Sequence, residues 1–522
     1  NDELTLYSEL GMGGSTLYSV SGFSGSSLIG FDISDPSNPR LLSNTSVVGN
    51  IFQFAIDVDS LQPSTFFVSG RLHTPEITPI QWEYLRDKDF SAEVVVITAD
   101  EFAGAAKDFA SYRSAASGMT TQVFTTGSIA REFGWGIADP SAIRDFISQA
   151  YRTWTIKPRF VVLFGDGHYD PKNIATQRPC FMPSWQTLEV DERFDVSSIG
   201  YYTSSYTTDD YFVRIKGDDD ITDIPIGRLP VNSPAEAATV VAKIKHYETS
   251  SANDIWRTTA TFVADDGPKE NGLSDYDLHT SQSEMLTRDT TCVPTDMIER
   301  KVYMAEYPAE NIPKGRLKPR VTEDILSAVN NQGTLLLNWI GHGNPKVWAH
   351  ETVLSRDVTI PQFTNYDKLF FLVAATCDFG RWDMPESQSG AELMITSDHG
   401  GAIGSFSSTR VSFSTLNAII GRALFRKVFE RGSDGHYYTL GEIVNATKQL
   451  HSSENDQKYM LLGDPTLRLQ LPDYVIDIDS LNGNSDSVVT IRAASNVRVK
   501  GHVREFGSST PRTDFNGAAT IS

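Results

Sequence analysis

The rhythm of hydrophobic and polar positions changes near Leu85. Before it, short stretches such as Leu28-Ile29-Gly30-Phe31-Asp32-Ile33 alternate between apolar and polar and are punctuated by Gly, Ser and Pro. That period of two predicts a β-rich N-terminal module, blade-like and partial, over residues 1–85. From residue 93 the period lengthens. Residues 93–98 are a short apolar run, 100–117 are amphipathic, 121–125 are a second short run, and Asp139-Pro140 opens a helix reaching about residue 151. Pro234 opens another helix, to about residue 247, and strands are predicted at 258–263, 297–303, 334–340, 369–375 and 401–406. Repeated strand–helix alternation predicts an α/β fold with parallel strands under helices on both faces, in two halves at 86–250 and 251–472. Residues 165–211 are long, irregular and rich in Asp, Tyr and Ser, a pattern that compact domains keep for function or metal binding. Beyond Pro472, residues 488–492 and 497–503 read as strands of a partial immunoglobulin-like β module spanning 473–522.

Two of the predicted strands end on reactive side chains. The run Leu335-Leu336-Leu337-Asn338-Trp339-Ile340 leads into Gly341-His342-Gly343, and Leu369-Phe370-Phe371-Leu372-Val373-Ala374-Ala375 leads into Thr376-Cys377-Asp378. Runs this uniformly apolar belong to strands buried on both faces, and open α/β sheets keep their active sites at the carboxyl ends of such strands. A Cys and a His at successive strand ends therefore predict a thiol nucleophile, Cys377, and its base, His342. Either motif alone is more ordinary, an inert core thiol or a glycine turn.

Composition narrows the class. A chain of 522 residues exceeds one compact core. Its net charge of −21 argues against nucleic acid or anionic lipid as partners. The longest apolar runs are far shorter than a membrane span requires. Residues 1–4 do not read as a signal peptide and the last residues stop inside a β pattern, so the sequence reads as a piece of a longer protein. The three cysteines are too few for a disulfide framework, and their odd number leaves at least one thiol unpaired, expected to be Cys377. Cys180 and Cys292 read as passive residues. Neither Cys-x-x-Cys nor His-Glu-x-x-His spacing occurs, which argues against a zinc site.

Further motifs extend the pattern: Val161-Val162-Leu163-Phe164-Gly165-Asp166, Ile226-Gly227-Arg228-Leu229, Ala264-Asp265-Asp266-Gly267-Pro268, Asn271-Gly272-Leu273-Ser274-Asp275 and Leu462-Gly463-Asp464-Pro465-Thr466-Leu467. Taken in order with the two strand ends, they resemble the gingipain family of cysteine peptidases, relatives of the caspases, over about residues 90–472. The resemblance implies a caspase-like fold in two subdomains and a cysteine endopeptidase using Cys377 and His342. It makes the amides of Gly343 and Cys377 the oxyanion donors. It carries the family's orienting acid onto Asp265, where gingipains have Glu. Asp266 is the alternative, and a carboxylate that only caps the following segment is the plain reading.

The same resemblance makes Asp275 the specificity acid that pairs with a substrate Arg. Phe413 stands where gingipains place a Trp wall, and Arg410 is a cation that could neutralise Asp275. Asp166, Asp209 and the Tyr211 backbone fall where gingipains bind a structural calcium, although Val213 replaces one carboxylate ligand; no cofactor is required for the chemistry. Overall similarity within the family points to the branch that serves type IX secretion as a sortase. That implies partners of three kinds: cargo proteins with C-terminal sorting domains, a lipopolysaccharide amine as acceptor, and other surface subunits of the secretion system. It implies a location on the extracellular face of a bacterial outer membrane. The alternatives are a secreted Arg- or Lys-specific protease and, from another class, a non-catalytic β-rich adhesin or scaffold.

Overall fold

The computed structural model describes residues 2–517 except 12, 72, 75, 78, 81, 188–204, 251–253, 268–274, 276, 314, 487 and 494. Motif residues 268 and 271–274 thus lie outside the described residues. The chain forms two compact units, Asn1–Gln81 and Trp82–Ser522. The first is all β, as its alternation predicts, with a four-stranded and a three-stranded antiparallel sheet. Alternate residues of its strands Ile51–Val58 and Thr65–Ser69 supply the core, where Phe52, Phe54, Phe66 and Val68 are fully buried and Tyr18 stacks on Phe54 at 4.9 Å.

The second unit is built on one ten-stranded sheet. In chain order its strands are β1 (Val94–Thr98), β2 (Thr121–Thr125), β3 (Phe160–Phe164), β4 (Ile226–Leu229), β5 (Thr259–Ala264), β6 (Ile298–Tyr303), β7 (Leu336–Ile340), β8 (Phe370–Ala375), β9 (Ala402–Ser408) and β10 (Tyr459–Gly463). Their spatial order is β6-β5-β7-β8-β9-β10-β4-β3-β1-β2. Every residue of β1, β3, β5, β7 and β8 is buried, which is why those strands read as continuous apolar runs. The helices that matter here are α1 (Ala103–Ser117), α2 (Pro140–Thr153), α3 (Pro234–Thr249), α4 (Leu278–Thr287) and α5 (Ser414–Val428). Asp139 caps α2 and Ser233 caps α3, each with Pro in the first turn.

The sheet is parallel throughout except between β9 and β10, which run antiparallel. β10 has a short apolar sequence, and its insertion between β4 and β9 comes from long-range pairing that local pattern does not carry. It joins the two halves into one continuous sheet. Its closing motif is structural: Asp464 is fully buried, accepts from Thr466, and takes Arg113 of α1 at 2.5 Å. Because β5, β7 and β8 run parallel, their carboxyl ends share one edge, with Ala264 beside Ile340 and Ile340 beside Ala375.

In the C-terminal segment the strand expected at 497–503 forms as Val499–Glu505, whereas the one expected at 488–492 does not. Tyr474–Leu481 pairs antiparallel with Val499–Glu505. Residues 488–492 form no strand, and Val488 is 83% exposed and Ile491 48%. The hairpin is tied to the α/β unit by Arg504, which grips Asp296 at 2.5 and 2.7 Å.

Candidate active site

Three loops leave the shared edge and lace together before any side chain takes part. The Asp265 amide donates to the Ile340 carbonyl at 3.0 Å, and the Gly341 amide to the Ala375 carbonyl at 3.4 Å. Gly341 must be glycine. A Cβ there would meet Asp265 Cβ at 2.5 Å and the Trp339 ring at 2.6 Å. Gly343 begins a tight hairpin in which Asn344 N–H bonds Val347 and Ala349 N–H bonds His342. Those bonds flank Gly343 and leave it in the non-hydrogen-bonded pair with Trp348, so its own amide turns away from the hairpin. A Cβ at Gly343 would lie 2.6 Å from Thr376 Oγ1. The turn that carries His342 therefore packs directly against the residue before Cys377.

Cys377 is half-buried, with Sγ lodged against Ser412: the Ser412 N–H donates to it at 3.4 Å and the thiol donates to the Ser412 carbonyl at 3.5 Å. Burial pushes the thiol above its ordinary pKa and the Asp378 charge adds to that, while the Ser412 N–H works in the opposite direction. The resting group is the thiol. Asp378 holds φ 56°, a left-handed conformation that a non-glycine residue adopts at a cost of about 1–3 kcal/mol. This strained corner turns the chain sharply beside Cys377. Ser412 is held in turn by Asn417, whose amide donates to Ser412 Oγ at 2.9 Å, and Asn455 bonds Asn417 and the Phe413 N–H.

His342 is oriented by a different acid from the one expected. Its Nε2 lies 2.8 Å from Asp275 Oδ2. Asp265, 2% exposed, instead accepts the backbone N–H of His342 at 3.0 Å, with Asp266 N–H at 2.8 Å and Gly267 N–H at 3.4 Å on its other oxygen. Asp265 thus fixes the peptide that carries the imidazole. Asp266 is neutralised by Arg316 and Lys318, each at 2.6 Å. Among the described residues no hydrogen bond joins the imidazole to Sγ.

Arg410 does not neutralise Asp275. It is buried and bidentate to Asp383, with Nη1 and Nη2 at 2.8 and 2.5 Å. Phe413, next to Ser412 in the loop against Cys377 Sγ, is 48% exposed. Cys180 and Cys292 are also unpaired, and burial pushes the Cys180 thiol up to about 11.

The calcium set fits poorly. Both oxygens of Asp209 are taken by the fully buried Arg228, at 2.7 and 2.8 Å, and that guanidinium stacks 3.7 Å over Trp382. A fixed cation already holds both of that carboxylate's oxygens. Asp166 keeps one oxygen on Asn232 at 2.8 Å, while its Oδ1 has no hydrogen-bond partner. The Tyr211 ring stacks on Trp185, and Val213 is fully buried. Asp170, a further source of hard oxygens, spends them on the N–H groups of Ile174, Ala175 and Thr176.

Sequence reasoning missed Ser412 and Asn417, and it did not single out His279, a buried residue whose ring lies 5.5 Å from that of His342. The first two carry no motif. His279 follows Asp275 by four residues, a one-turn spacing that could have flagged it.

A sequence profile of peptidase family C25 matches residues 87–470. Gingipain R2 of Porphyromonas gingivalis is 24% identical over 291 residues, which cover 55% of this chain and 32% of that protein. The chain thus spans about a third of that relative's length. The crystal structure of the Arg-specific cysteine proteinase gingipain R (RGPB) aligns with a TM-score of 0.55 at 20% identity, covering 77% of this chain and 83% of that one. Dimeric latent PorU from Porphyromonas gingivalis aligns with a TM-score of 0.49 at 20% identity, covering 96% and 43%.

Proposed function

Because the chain belongs to peptidase family C25, we propose that it is a cysteine endopeptidase in which Cys377 attacks the scissile carbonyl and His342 moves the protons. The observation that carries this reading is the shared edge of β5, β7 and β8, where the His342 turn packs on Thr376 beside Cys377. Since burial holds the thiol protonated, His342 acts as general base at the moment of attack, turning from Asp275 toward Sγ, and then protonates the departing amine. The turned-out Gly343 amide, with the Cys377 amide, receives the oxyanion. Asp265 is a positioning residue, holding the His342 peptide.

For the acyl-enzyme we propose transfer as a type IX secretion sortase: the thioester of a cargo protein, freed of its C-terminal sorting domain, passes to a lipopolysaccharide amine. On that reading the enzyme works on the extracellular face of the outer membrane with the other surface subunits. Overall sequence similarity within the family supports it, while the motifs support the family as a whole. Asp275, whose carboxylate is engaged by His342 and not held open for a substrate Arg, also supports the sortase reading. No helix among the described residues is long and apolar enough to cross a membrane.

The test is mass spectrometry of a cargo protein incubated with the enzyme and an amine donor. Cargo joined to the amine, and untouched by Cys377→Ala, supports the sortase. Cargo ended only by water, with fast cleavage of short Arg peptides, supports the secreted protease instead.

A further inference from the structure

Behind His342 lies a histidine that the proteolytic reading does not use. His279, in the first turn of α4, is 4% exposed, and neither ring nitrogen has a hydrogen-bond partner among the described residues. The nearby Gln282 is committed to Ser414: its amide N–H donates to Ser414 Oγ and the Ser414 carbonyl, and its oxygen accepts from Ser414 Oγ. Leaving a buried polar group unpaired costs about 1–3 kcal/mol, so an orphaned imidazole at a functional edge calls for a ligand.

The ring is aimed at the His342–Asp275 pair. Its Nε2 stands 3.9 Å from Asp275 Oδ2, which stands 2.8 Å from His342 Nε2, and the two imidazoles meet edge to face with centroids 5.5 Å apart. One donor atom from each of the three residues falls within 4.8 Å of the others. Ligand atoms on a tetrahedral ion with bonds of about 2.0–2.1 Å stand roughly 3.3 Å apart. The two observed separations, 2.8 and 3.9 Å, bracket that spacing. The neighbouring acidic trio of Asp265, Asp266 and Glu351 offers no rival site, because Arg316 and Lys318 already neutralise it.

We propose that Asp275, His279 and His342 form a binding site for a borderline divalent cation, best matched by Zn²⁺, whose occupancy takes the lone pair His342 needs as a base and holds the enzyme inactive. Two imidazoles and a carboxylate suit zinc and discriminate against calcium and magnesium. The usual zinc spacings are absent from the sequence because the ligands are an Asp and a His four residues apart and a second His from a distant strand end. The inhibitory half of the proposal rests on His342 being the base; the binding half does not.

Binding is therefore measured on Cys377→Ala, where proteolysis plays no part and the thiol cannot ligate. Zn²⁺ is titrated against a chromophoric chelator, with Co²⁺ absorption as a second probe. The expected result is one equivalent at micromolar or tighter affinity. His279→Leu and Asp275→Asn should each weaken it beyond the roughly 10- to 100-fold that loss of an outer-sphere partner costs, and the exposed His399→Ala should not. Should His279→Leu fail to fold, Asp275→Asn, on a part-exposed side chain, decides alone. Absence of stoichiometric binding, or binding indifferent to both variants, overturns the site. On wild-type protein, Zn²⁺ should slow alkylation of Cys377 reversibly. Binding without any peptidase activity in the metal-free enzyme would leave the site standing and remove the proteolytic reading, whereas tight binding with unslowed alkylation would overturn the inhibitory half.

Discussion

Asp265→Asn separates two ways of serving His342, through its peptide or through its ring. The carboxylate accepts three backbone N–H groups, from Asp266 at 2.8 Å and Gly267 at 3.4 Å on Oδ1 and from His342 at 3.0 Å on Oδ2. Asparagine keeps the shape but offers one acceptor oxygen. If that oxygen faces Asp266 and Gly267, the amide meets the His342 N–H donor to donor; the reverse orientation abandons the other two. At least one buried N–H loses its partner, worth about 1–3 kcal/mol. The orientation that keeps two bonds is the cheaper, so the expected loss is about 2 kcal/mol, read from denaturant unfolding followed by tryptophan fluorescence. A shift of the His342 peptide by about 1 Å should slow reaction at Cys377 by up to roughly 100-fold. Iodoacetamide labelling of Cys377, quantified by peptide mass spectrometry, reports that without a known substrate. An unchanged unfolding midpoint with slowed labelling would move the role of Asp265 onto the imidazole ring. No change in either would remove it from the site.

Gly341→Ala places a methyl group 2.5 Å from Asp265 Cβ, an overpacking worth about 1–3 kcal/mol; the unfolding midpoint should fall, and a wild-type midpoint would contradict the packing. Arg410→Met takes the bidentate partner from the fully buried Asp383 carboxylate, leaving it Gln186 at 2.7 Å and Arg381 at 3.8 Å, which should cost about 3 kcal/mol, and Arg410→Met with Asp383→Asn should recover part of it; failure of the second change to help would mean the pair is not the cause. Burial pushes Asp166 up to about 7 from the ordinary 3.8. The folded protein then holds a proton that the unfolded chain has released, so this group's stabilising contribution is full below about pH 4 and is lost as pH rises through 7. Asp166→Asn should flatten that part of the stability–pH curve, and millimolar calcium should leave the wild-type curve unchanged. A large calcium-induced rise in midpoint would restore the metal reading.

Short-range order decided what could be read without the fold. Uniform apolar runs set β7 and β8 as strands buried on both faces, and that alone placed His342 and Cys377 at strand ends, because the period and burial of a strand are written in adjacent residues. The caps Asp139 and Ser233 were legible for the same reason. Pairings across long stretches of chain were not. Asp275 and His342 stand 67 residues apart in sequence, and only the folded chain brings their atoms to 2.8 Å. Asp209 and Arg228 each look like an isolated charge in sequence, yet buried side by side they become a bidentate pair that takes both oxygens of an expected calcium ligand. Side-chain identity supplies the chemistry available to each residue, but which charge meets which is settled by packing, since a buried ion must find a partner or be neutralised wherever the folded chain leaves it.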